Sequence, residues 1–139
     1  MVSSAVMPVT QTVEAREVKD VKARDYLPIT DSANVKRFVN DYFADTPILA
    51  HIASCESHYR QYDKDGHILR GEKNKSDIGV MQINEAYHAE AAEKLGLDIY
   101  TIEDNVAFAK VLYEKFGAKP WMSSSACWAK YTGSEIARK

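Results

Sequence analysis

Glu56 is the residue whose type and position most clearly favour chemistry in this sequence. Leu49, Ile52, Ala53 and Glu56 stand at positions i, i+3, i+4 and i+7 of a helix and share one face, so the carboxyl of Glu56 continues an apolar stripe. Partial desolvation there should raise the pKa of the carboxyl and keep it protonated near neutral pH. A general acid needs that property. The alternative is a helix-end glutamate that faces solvent, as most helix glutamates do.

The side chains that could bind a metal do not form a metal-binding pattern. Cys55 and Cys127, with or without His58, match neither a C-x-x-C redox motif nor a four-ligand zinc site. The segment Asp63-Lys-Asp65-Gly66 resembles the start of a calcium loop, but its glycine comes too early, so we expect a turn. We therefore expect no metal and no cofactor. Two cysteines would form one disulfide in an exported domain and would stay reduced in cytosol.

Helical periodicity predicts four or five helices that position these residues. Asp31 or Ser32 can cap the first helix, and Thr46-Pro47 supplies an N-cap and a first-turn proline for the second. Thr101, with Asp104 three residues later, resembles a capping box that opens the fourth. The expected ranges are about 31–43, 48–57, 85–95, 101–116 and 124–131.

Between the second and third helices the sequence predicts a short β-hairpin and a loop. The Asp65-Gly66 turn separates residues 59–62 from residues 67–70, and the loop continues to Asp77. These elements together predict a mainly α domain of the α+β type. The fourth helix is expected to bury Ile102, Val106, Ala109, Leu112, Tyr113 and Phe116.

The length of 139 residues predicts one domain at 31–139 after a flexible N-terminal arm or tether at 1–30. Apolar residues make up 45% of the chain, which is enough for a core. The net charge of −2 comes from 18 basic and 20 acidic residues that are mixed along the chain, which argues against a nucleic-acid binder. The sequence has no long apolar run that would predict a membrane span, and we expect a monomer.

Several motifs in order resemble the lytic transglycosylase branch of the lysozyme superfamily. They are Cys55-Glu56-Ser57, Ser76-Asp-Ile-Gly-Val-Met-Gln-Ile-Asn84, Thr101-Ile-Glu-Asp-Asn-Val-Ala107 and Tyr113-Glu-Lys-Phe-Gly117. That family carries a Glu-Ser pair, a Gly-Leu-Met-Gln-type segment and an Asn-Ile/Val helix. The form of the second motif is most similar to the small transglycosylases of secretion and conjugation systems. The resemblance implies a lysozyme-like fold whose helices surround a glycan-binding groove, with peptidoglycan strands as the partner.

The resemblance also implies a role for each matching residue. Glu56 would be the sole catalytic acid/base, and Ser57 would lie beside the bond that is cut and support the substrate or Glu56. Gly79 would allow close approach of the backbone, while Met81 and Gln82 would line the groove.

For two amide side chains, a structural role is the alternative to contact with the glycan. By resemblance, Asn105 would project towards the glycan, and by spacing it shares a face with Ala109 and Leu112. A buried amide needs partners, so Asn105 could instead serve as a structural cap. For Gln82 the alternative is a core amide that ties the loop down, and the two roles do not exclude each other.

The C-terminal region departs from the transglycosylase pattern. Many relatives carry an Ala-Tyr-Asn-Ala-Gly segment whose tyrosine touches the catalytic glutamate, but here the region is Lys119-Pro-Trp-Met-Ser-Ser-Ser-Ala-Cys-Trp128. Tyr131 or a serine from 123–125 could replace that tyrosine. The region is similar instead to resuscitation-promoting factors, in which a cysteine just before the glutamate bonds to one near the C-terminus. Cys55 and Cys127 match that layout, which implies a disulfide; two buried free thiols are the alternative.

The resemblance implies a reaction that needs one carboxyl and gives a 1,6-anhydromuramic product. Hydrolysis by water is the alternative, and because glycosidases ordinarily use two carboxyls, Asp77 is the candidate for the second. A catalytically silent wall-binding module is a further alternative. The expected location is extracytoplasmic. Residues 1–8 do not form an intact secretory signal, so we expect a removed signal or delivery by a phage or a secretion machine.

Overall fold

The computed structural model describes the backbone of residues 20–138 and the side chains of residues 20–132. None of the helices in this range has both the length and the apolar character needed to cross a bilayer. The mainly α fold with a small antiparallel sheet is confirmed. The helices are α1 (Ser32–Tyr42), α2 (Pro47–Ser57), α3 (Glu85–Lys94), α4 (Ile102–Phe116) and α5 (Ser125–Arg138). The strands are β1 (Asp77–Ile78) and β2 (Ile83–Asn84), and two short 3-10 helices span Ala23–Tyr26 and Lys119–Ser124.

Helix α2 lies in the core between α1 and α5. Pro47 occupies its first turn, where the missing N–H would have had no partner in any case. The hydroxyl of Thr46, the predicted N-cap, makes no capping bond to the helix. The helix ends after Ser57 because His58 adopts a left-handed conformation with φ 55°, and Glu56 therefore lies in the last turn. The predicted apolar face of α2 is buried at Leu49, Ile52 and Ala53.

Two predicted side-chain caps are present. The carboxylate of Asp31 accepts a hydrogen bond from the N–H of Ala33 (2.9 Å), and Thr101 Oγ1 accepts one from the N–H of Asp104 (3.2 Å). The capping box at α4 is only half formed, because the carboxylate of Asp104 accepts from the N–H of Asp98 (2.9 Å) and not from Thr101. Each bond satisfies a backbone donor that has no partner inside a helix.

The part of the predicted arm that the structure describes, residues 20–30, lies against the domain. The N–H of Ala23 donates to the carboxylate of Glu103 at 2.8 Å, and the ring of Tyr26 packs edge-on against Phe38. Residues 1–19 lie outside the described residues.

The hairpin predicted around the Asp65-Gly66 turn is present in short form: the N–H of Asp63 donates to the carbonyl of His67 (2.8 Å), and the N–H of Leu69 donates to that of Gln61 (2.9 Å). Pairing there is reduced to one isolated bridge between Tyr62 and Ile68. Asp63 Oδ1 accepts two backbone N–H groups of the turn at 2.9 and 3.0 Å, which removes them from any ladder, and Tyr59 is left-handed with φ 61°. Pairing that forms named strands occurs between β1 and β2, where strands of two residues are too short to leave a periodic pattern.

The end of α4 also differs from the prediction. Phe116 was expected in the core, but it is 55% exposed. The last turn of α4 extends beyond the core, since Glu114 and Lys115 are exposed as well. The final helix begins at Ser125, because the residues before it form the second 3-10 helix. The rest of the α4 stripe is buried at Ile102, Val106, Ala109 and Leu112, and Tyr113 is half-buried against the core.

Asn105 on α4 holds the segment that joins β1 to β2. Its amide nitrogen donates to the carbonyls of Ile78 (3.2 Å) and Ile99 (2.9 Å), and its oxygen accepts from the N–H of Met81 (2.9 Å). Gly79 lies directly against this amide: a Cβ at position 79 would be 2.4 Å from Asn105 Nδ2, and φ is +77°. Asn105 is fully buried, so its hydrogen bonds support the structural interpretation of this residue.

Gln61 holds the same segment, and the sequence did not indicate this role. Its side-chain oxygen accepts from the N–H of Val80 at 2.8 Å, and its nitrogen donates to the carbonyl of Tyr100 at 3.0 Å. Among the described residues, every buried side-chain nitrogen or oxygen has a hydrogen-bond partner. Displacing either amide would leave buried polar groups unpaired, which costs about 1–3 kcal/mol for each group.

The contact between Gly79 and Asn105 predicts a large loss of stability for Gly79→Ala. Gly96 is the matched control, because its φ is +75° and a Cβ at position 96 would have no heavy atom within 4 Å. Gly96→Ala should lower the free energy of unfolding by about 1–2 kcal/mol, the cost of a left-handed alanine. Gly79→Ala should lower it by about 3–5 kcal/mol, because the added methyl also displaces a bonded amide. Urea unfolding measures both, and equal losses would contradict the role of Asn105.

Candidate active site

A cleft of about 230 Å³ opens beside the last turn of α2, and we call it the Glu56 cleft. It brings together three residues that the sequence predicted for the site: the acid Glu56, the possible second carboxylate Asp77 and the amide Gln82. The other lining residues are Ile83, Asn84, Tyr87, His88, Leu112, Pro120, Trp121 and Ser123.

A hollow of similar volume, about 220 Å³, lies between the N-terminal segment and α4. Its lining includes Glu103 and Lys110, but both are already bonded within the protein. Glu103 accepts from the N–H of Ala23, and Lys110 donates to the carboxylate of Asp45 at 2.8 Å. We therefore place the candidate site in the Glu56 cleft.

Glu56 is held in a partly desolvated position. Burial raises the pKa of its carboxyl, a hydrogen bond from Ser124 lowers it, and the charge of Asp77 raises it; the net direction is upward. The bond from Ser124 Oγ to Glu56 Oε2 is 2.6 Å long. The carboxyl thus retains its proton to higher pH than an ordinary glutamate does, as its position at the end of an apolar stripe predicts.

Asp77 is fixed at the start of β1. The amide nitrogen of Asn84, its partner across the sheet, donates to Asp77 Oδ1 at 3.0 Å. Asn84 also caps α3, because its side-chain oxygen accepts from the N–H of Tyr87 at 3.0 Å. Burial raises the pKa of Asp77, and the hydrogen bond from Asn84 lowers it, with a net upward direction. The cleft therefore contains two carboxyls, each of which is harder to ionise than usual.

Ser124, and not Tyr131, contacts the glutamate. Ser124 Oγ also lies 3.0 Å from Trp128 Nε1 and 3.1 Å from the carbonyl oxygen of Trp121. Tyr131 stacks on His51 instead, with 3.6 Å between the ring centroids, and it does not belong to the lining of the cleft. Of the two candidates for the missing tyrosine contact, a serine from 123–125 is the one that reaches Glu56.

Four of the predicted substrate contacts lie behind the cleft. Ser57 is 1% exposed; its hydroxyl donates to the carbonyl of Ala53 (3.1 Å) and accepts from the N–H of Arg60 (3.2 Å). The side chains of Met81 and Asn105 are fully buried, and Gly79 packs against Asn105. These residues build the support of the cleft, since their polar groups are bonded to other protein groups.

Gln82 does reach the cleft, and it combines both of the roles considered for it. Its φ is +52°, an unusual value for a residue with a side chain, and its amide nitrogen donates to the carbonyl of Gly79 at 3.0 Å. The side chain therefore ties the loop down and lines the cleft at once.

Two cleft residues lie on α3: Tyr87, whose aromatic ring made it a possible sugar-stacking residue with packing as the alternative, and His88, which the sequence did not indicate as a site residue. Tyr87 is 81% exposed and presents its ring at the edge of the cleft. His88 is partly buried beside Phe108, and burial lowers the pKa of its imidazole. For His88 the only available signal was its place in the first turn of the helix that follows the Met-Gln-Ile-Asn segment.

The disulfide between Cys55 and Cys127 is confirmed. It joins α2, one residue before Glu56, to α5 near Ser124, and the Cα atoms are 6.0 Å apart. The two cysteines are 72 residues apart, for which the chain-entropy estimate of the stabilisation is about 4 kcal/mol. Because both thiols are used in this bond, they cannot serve as zinc ligands.

One group of side chains in the described part of the chain could hold a cation: Asp63, Asp65 and His67, whose ligand atoms lie within 4.8 Å of one another. Asp63 Oδ1 already accepts the N–H groups of Asp65 and His67. Those bonds close the turn that the sequence predicted, so the group has a structural role without a metal.

Comparison of the chain with models of protein families, with curated proteins and with solved structures found no match. The resemblance to lytic transglycosylases therefore stays a prediction that is based on the motifs.

The raised pKa of Glu56 predicts a pH-dependent gain of stability for Glu56→Gln. The native state binds the Glu56 proton more tightly than the unfolded chain, so the wild type loses stability as pH rises from about 4.3 through the raised native pKa. The variant should be more stable than the wild type at pH 7, by about 1.4 kcal/mol for each unit of pKa increase, and equal below about pH 4. Thermal and urea unfolding across pH measure the difference. Glu90→Gln, at an exposed position on α3, is the control; a Glu56→Gln variant less stable than the wild type at pH 7 would contradict the desolvation.

Proposed function

We propose that the protein cleaves the glycan strands of peptidoglycan between N-acetylmuramic acid and N-acetylglucosamine, as a lytic transglycosylase. The observation that carries the proposal is a partly buried Glu56 with a raised pKa in the wall of a cleft. The motif order that resembles this family also supports it. The proposed location is outside the cytoplasm, because disulfides persist in oxidising compartments.

In the first half of the proposed reaction, Glu56 acts as an acid. Its protonated carboxyl donates the proton to the glycosidic oxygen as the bond from that oxygen to C1 of the muramic residue breaks. The glucosamine leaves with a free hydroxyl, and positive charge develops at C1. The raised pKa is useful here, because the proton is present at a pH where an ordinary glutamate would have lost it.

In the second half, the same residue acts as a base. The Glu56 carboxylate removes the proton from the C6 hydroxyl of the muramic residue, and that oxygen forms a bond to C1. The product is a 1,6-anhydromuramic end, no water is consumed, and Glu56 regains its proton. A single carboxyl is therefore sufficient for the complete cycle.

Hydrolysis is the second candidate, and the position of Asp77 favours it. Asp77 lines the same cleft and is close enough for its charge to raise the pKa of Glu56. Two carboxyls on one cleft can divide the work of a glycosidase, with the second stabilising the charge at C1 or activating a water. The product would then have a reducing end.

Glu56→Gln should abolish release of muropeptides from purified sacculi, with a loss of about 10²–10⁴ in rate. The amide keeps the shape of the side chain but cannot supply the proton. Glu90→Gln is the control and should retain full activity. Retention of most activity by Glu56→Gln would remove Glu56 from its role, and binding to sacculi without turnover by the wild type would favour a wall-binding module.

Mass analysis of the released muropeptides should find 1,6-anhydromuramic ends, about 18 mass units below the hydrated product because water is not added. Asp77→Asn should then reduce the rate by less than about tenfold, because a second carboxylate is not required. Reducing ends alone, together with a loss in Asp77→Asn as large as that in Glu56→Gln, would support hydrolysis instead.

A further inference from the structure

The hydroxyl of Ser124 has three polar neighbours. Its oxygen lies 2.6 Å from Glu56 Oε2, 3.0 Å from Trp128 Nε1 and 3.1 Å from the carbonyl oxygen of Trp121. A serine hydroxyl has one hydrogen to donate and two lone pairs to accept with. The three neighbours therefore match its full hydrogen-bonding capacity.

The chemistry of the neighbours limits how these bonds are arranged. The indole N–H of Trp128 can only donate, so it uses one lone pair of Ser124, and the carbonyl of Trp121 can only accept. The hydrogen of Ser124 thus has two possible acceptors, the Trp121 carbonyl and an ionised Glu56. When Glu56 is protonated, its own O–H can donate to the second lone pair of Ser124.

We propose that Ser124 is a positioning residue that serves both protonation states of Glu56 by rotation of its hydroxyl hydrogen. With Glu56 ionised, Ser124 donates to the carboxylate; with Glu56 protonated, Ser124 accepts from it and donates to the Trp121 carbonyl. This inference rests on the proposed function, in which one carboxyl must act first as an acid and then as a base. Only a hydrogen moves between the two arrangements, and the oxygen of Glu56 stays in place.

The two tryptophans hold the serine oxygen at this point. Both are almost completely buried, and Trp121 Nε1 donates to the carbonyl of Met81 at 2.8 Å. Trp128 Nε1 also lies 3.2 Å from the Trp121 carbonyl, so the two indoles and the serine form one hydrogen-bonded group. The lining of the cleft includes Ser123 but not Ser124, so a substitution at 124 should alter Glu56 more than it alters binding of the glycan.

The test compares Ser124→Ala with Ser124→Thr, which keeps a hydroxyl, and with Ser125→Ala, which removes a neighbouring hydroxyl. Carbon-13 NMR titration of the Glu56 carboxyl and kinetics on glycan strands are the two readouts. The other titratable groups that face the cleft, Asp77 from β1 and Tyr87 and His88 from α3, are the same in all variants.

In Ser124→Ala the pKa of Glu56 should rise above the wild-type value, because the bond that lowers it is lost. The alkaline limb of the rate profile should move to higher pH, and kcat should fall about tenfold with little change in KM, as expected for a hydrogen bond to a charged group. Ser124→Thr and Ser125→Ala should resemble the wild type in both readouts.

An unchanged Glu56 pKa and an unchanged kcat in Ser124→Ala would overturn the proposal. A loss of kcat that Ser124→Thr does not restore, with no change in pKa, would also overturn it, because the hydroxyl would then have only a packing role. If the wild type released no muropeptides, the proposed function would fail, yet the NMR titration would still decide whether Ser124 bonds to Glu56.

Discussion

The hydrogen bond between Ser124 and Glu56 joins residues 68 positions apart in the chain, and the geometry of the cleft depends on that approach. The C-terminal segment must pack on α2 for the bond to form. Two buried tryptophans and the disulfide between Cys55 and Cys127 hold it there. Burial and the serine act in opposite directions on Glu56, since burial disfavours the charge and the hydroxyl stabilises it. Such a balance suits the proposed role, in which one carboxyl both donates and accepts a proton.

The opposite side of the cleft depends on amide side chains. Asn105 and Gln61 fix the segment between β1 and β2 by bonds to its backbone, and Asn84 fixes Asp77 by a bond to its carboxylate. A loop that carries two short strands has little regular pairing of its own, so side-chain bonds replace a ladder. Because an unpaired buried amide is costly, these bonds also restrict the segment to one conformation.

Local patterns in the sequence were sufficient to predict the helices and part of the candidate site. The apolar stripe that ends in Glu56 predicted both the helix and the raised pKa, and the motif around Asp77 and Gln82 placed these residues near the acid. The apolar stripe on α4 did not reveal where the core ends, so the predicted burial of Phe116 was wrong. A pattern on one helix contains no information about the neighbouring element that covers its last turn.

The same limit explains why the sequence did not separate the residues that line the cleft from those that support it. An amide on an apolar face, such as Asn105, is consistent with either a ligand or a backbone partner, and the choice depends on the loop that packs against it. Ser124 was one of three adjacent serines, and its contact with Glu56 is fixed by the packing of Trp121 and Trp128. Such contacts follow from the tertiary arrangement and leave no periodic pattern in the chain.

In the proposed reaction Glu56 delivers its proton to a glycosidic oxygen held in the Glu56 cleft. The most direct measurement is a crystal structure of the Glu56→Gln variant with a peptidoglycan glycan fragment bound. We expect the amide nitrogen at position 56 to lie about 3 Å from the oxygen that joins C1 of a muramic residue to the glucosamine. A fragment bound with its glycosidic oxygens away from position 56, for example in the hollow beside Val21, would contradict it.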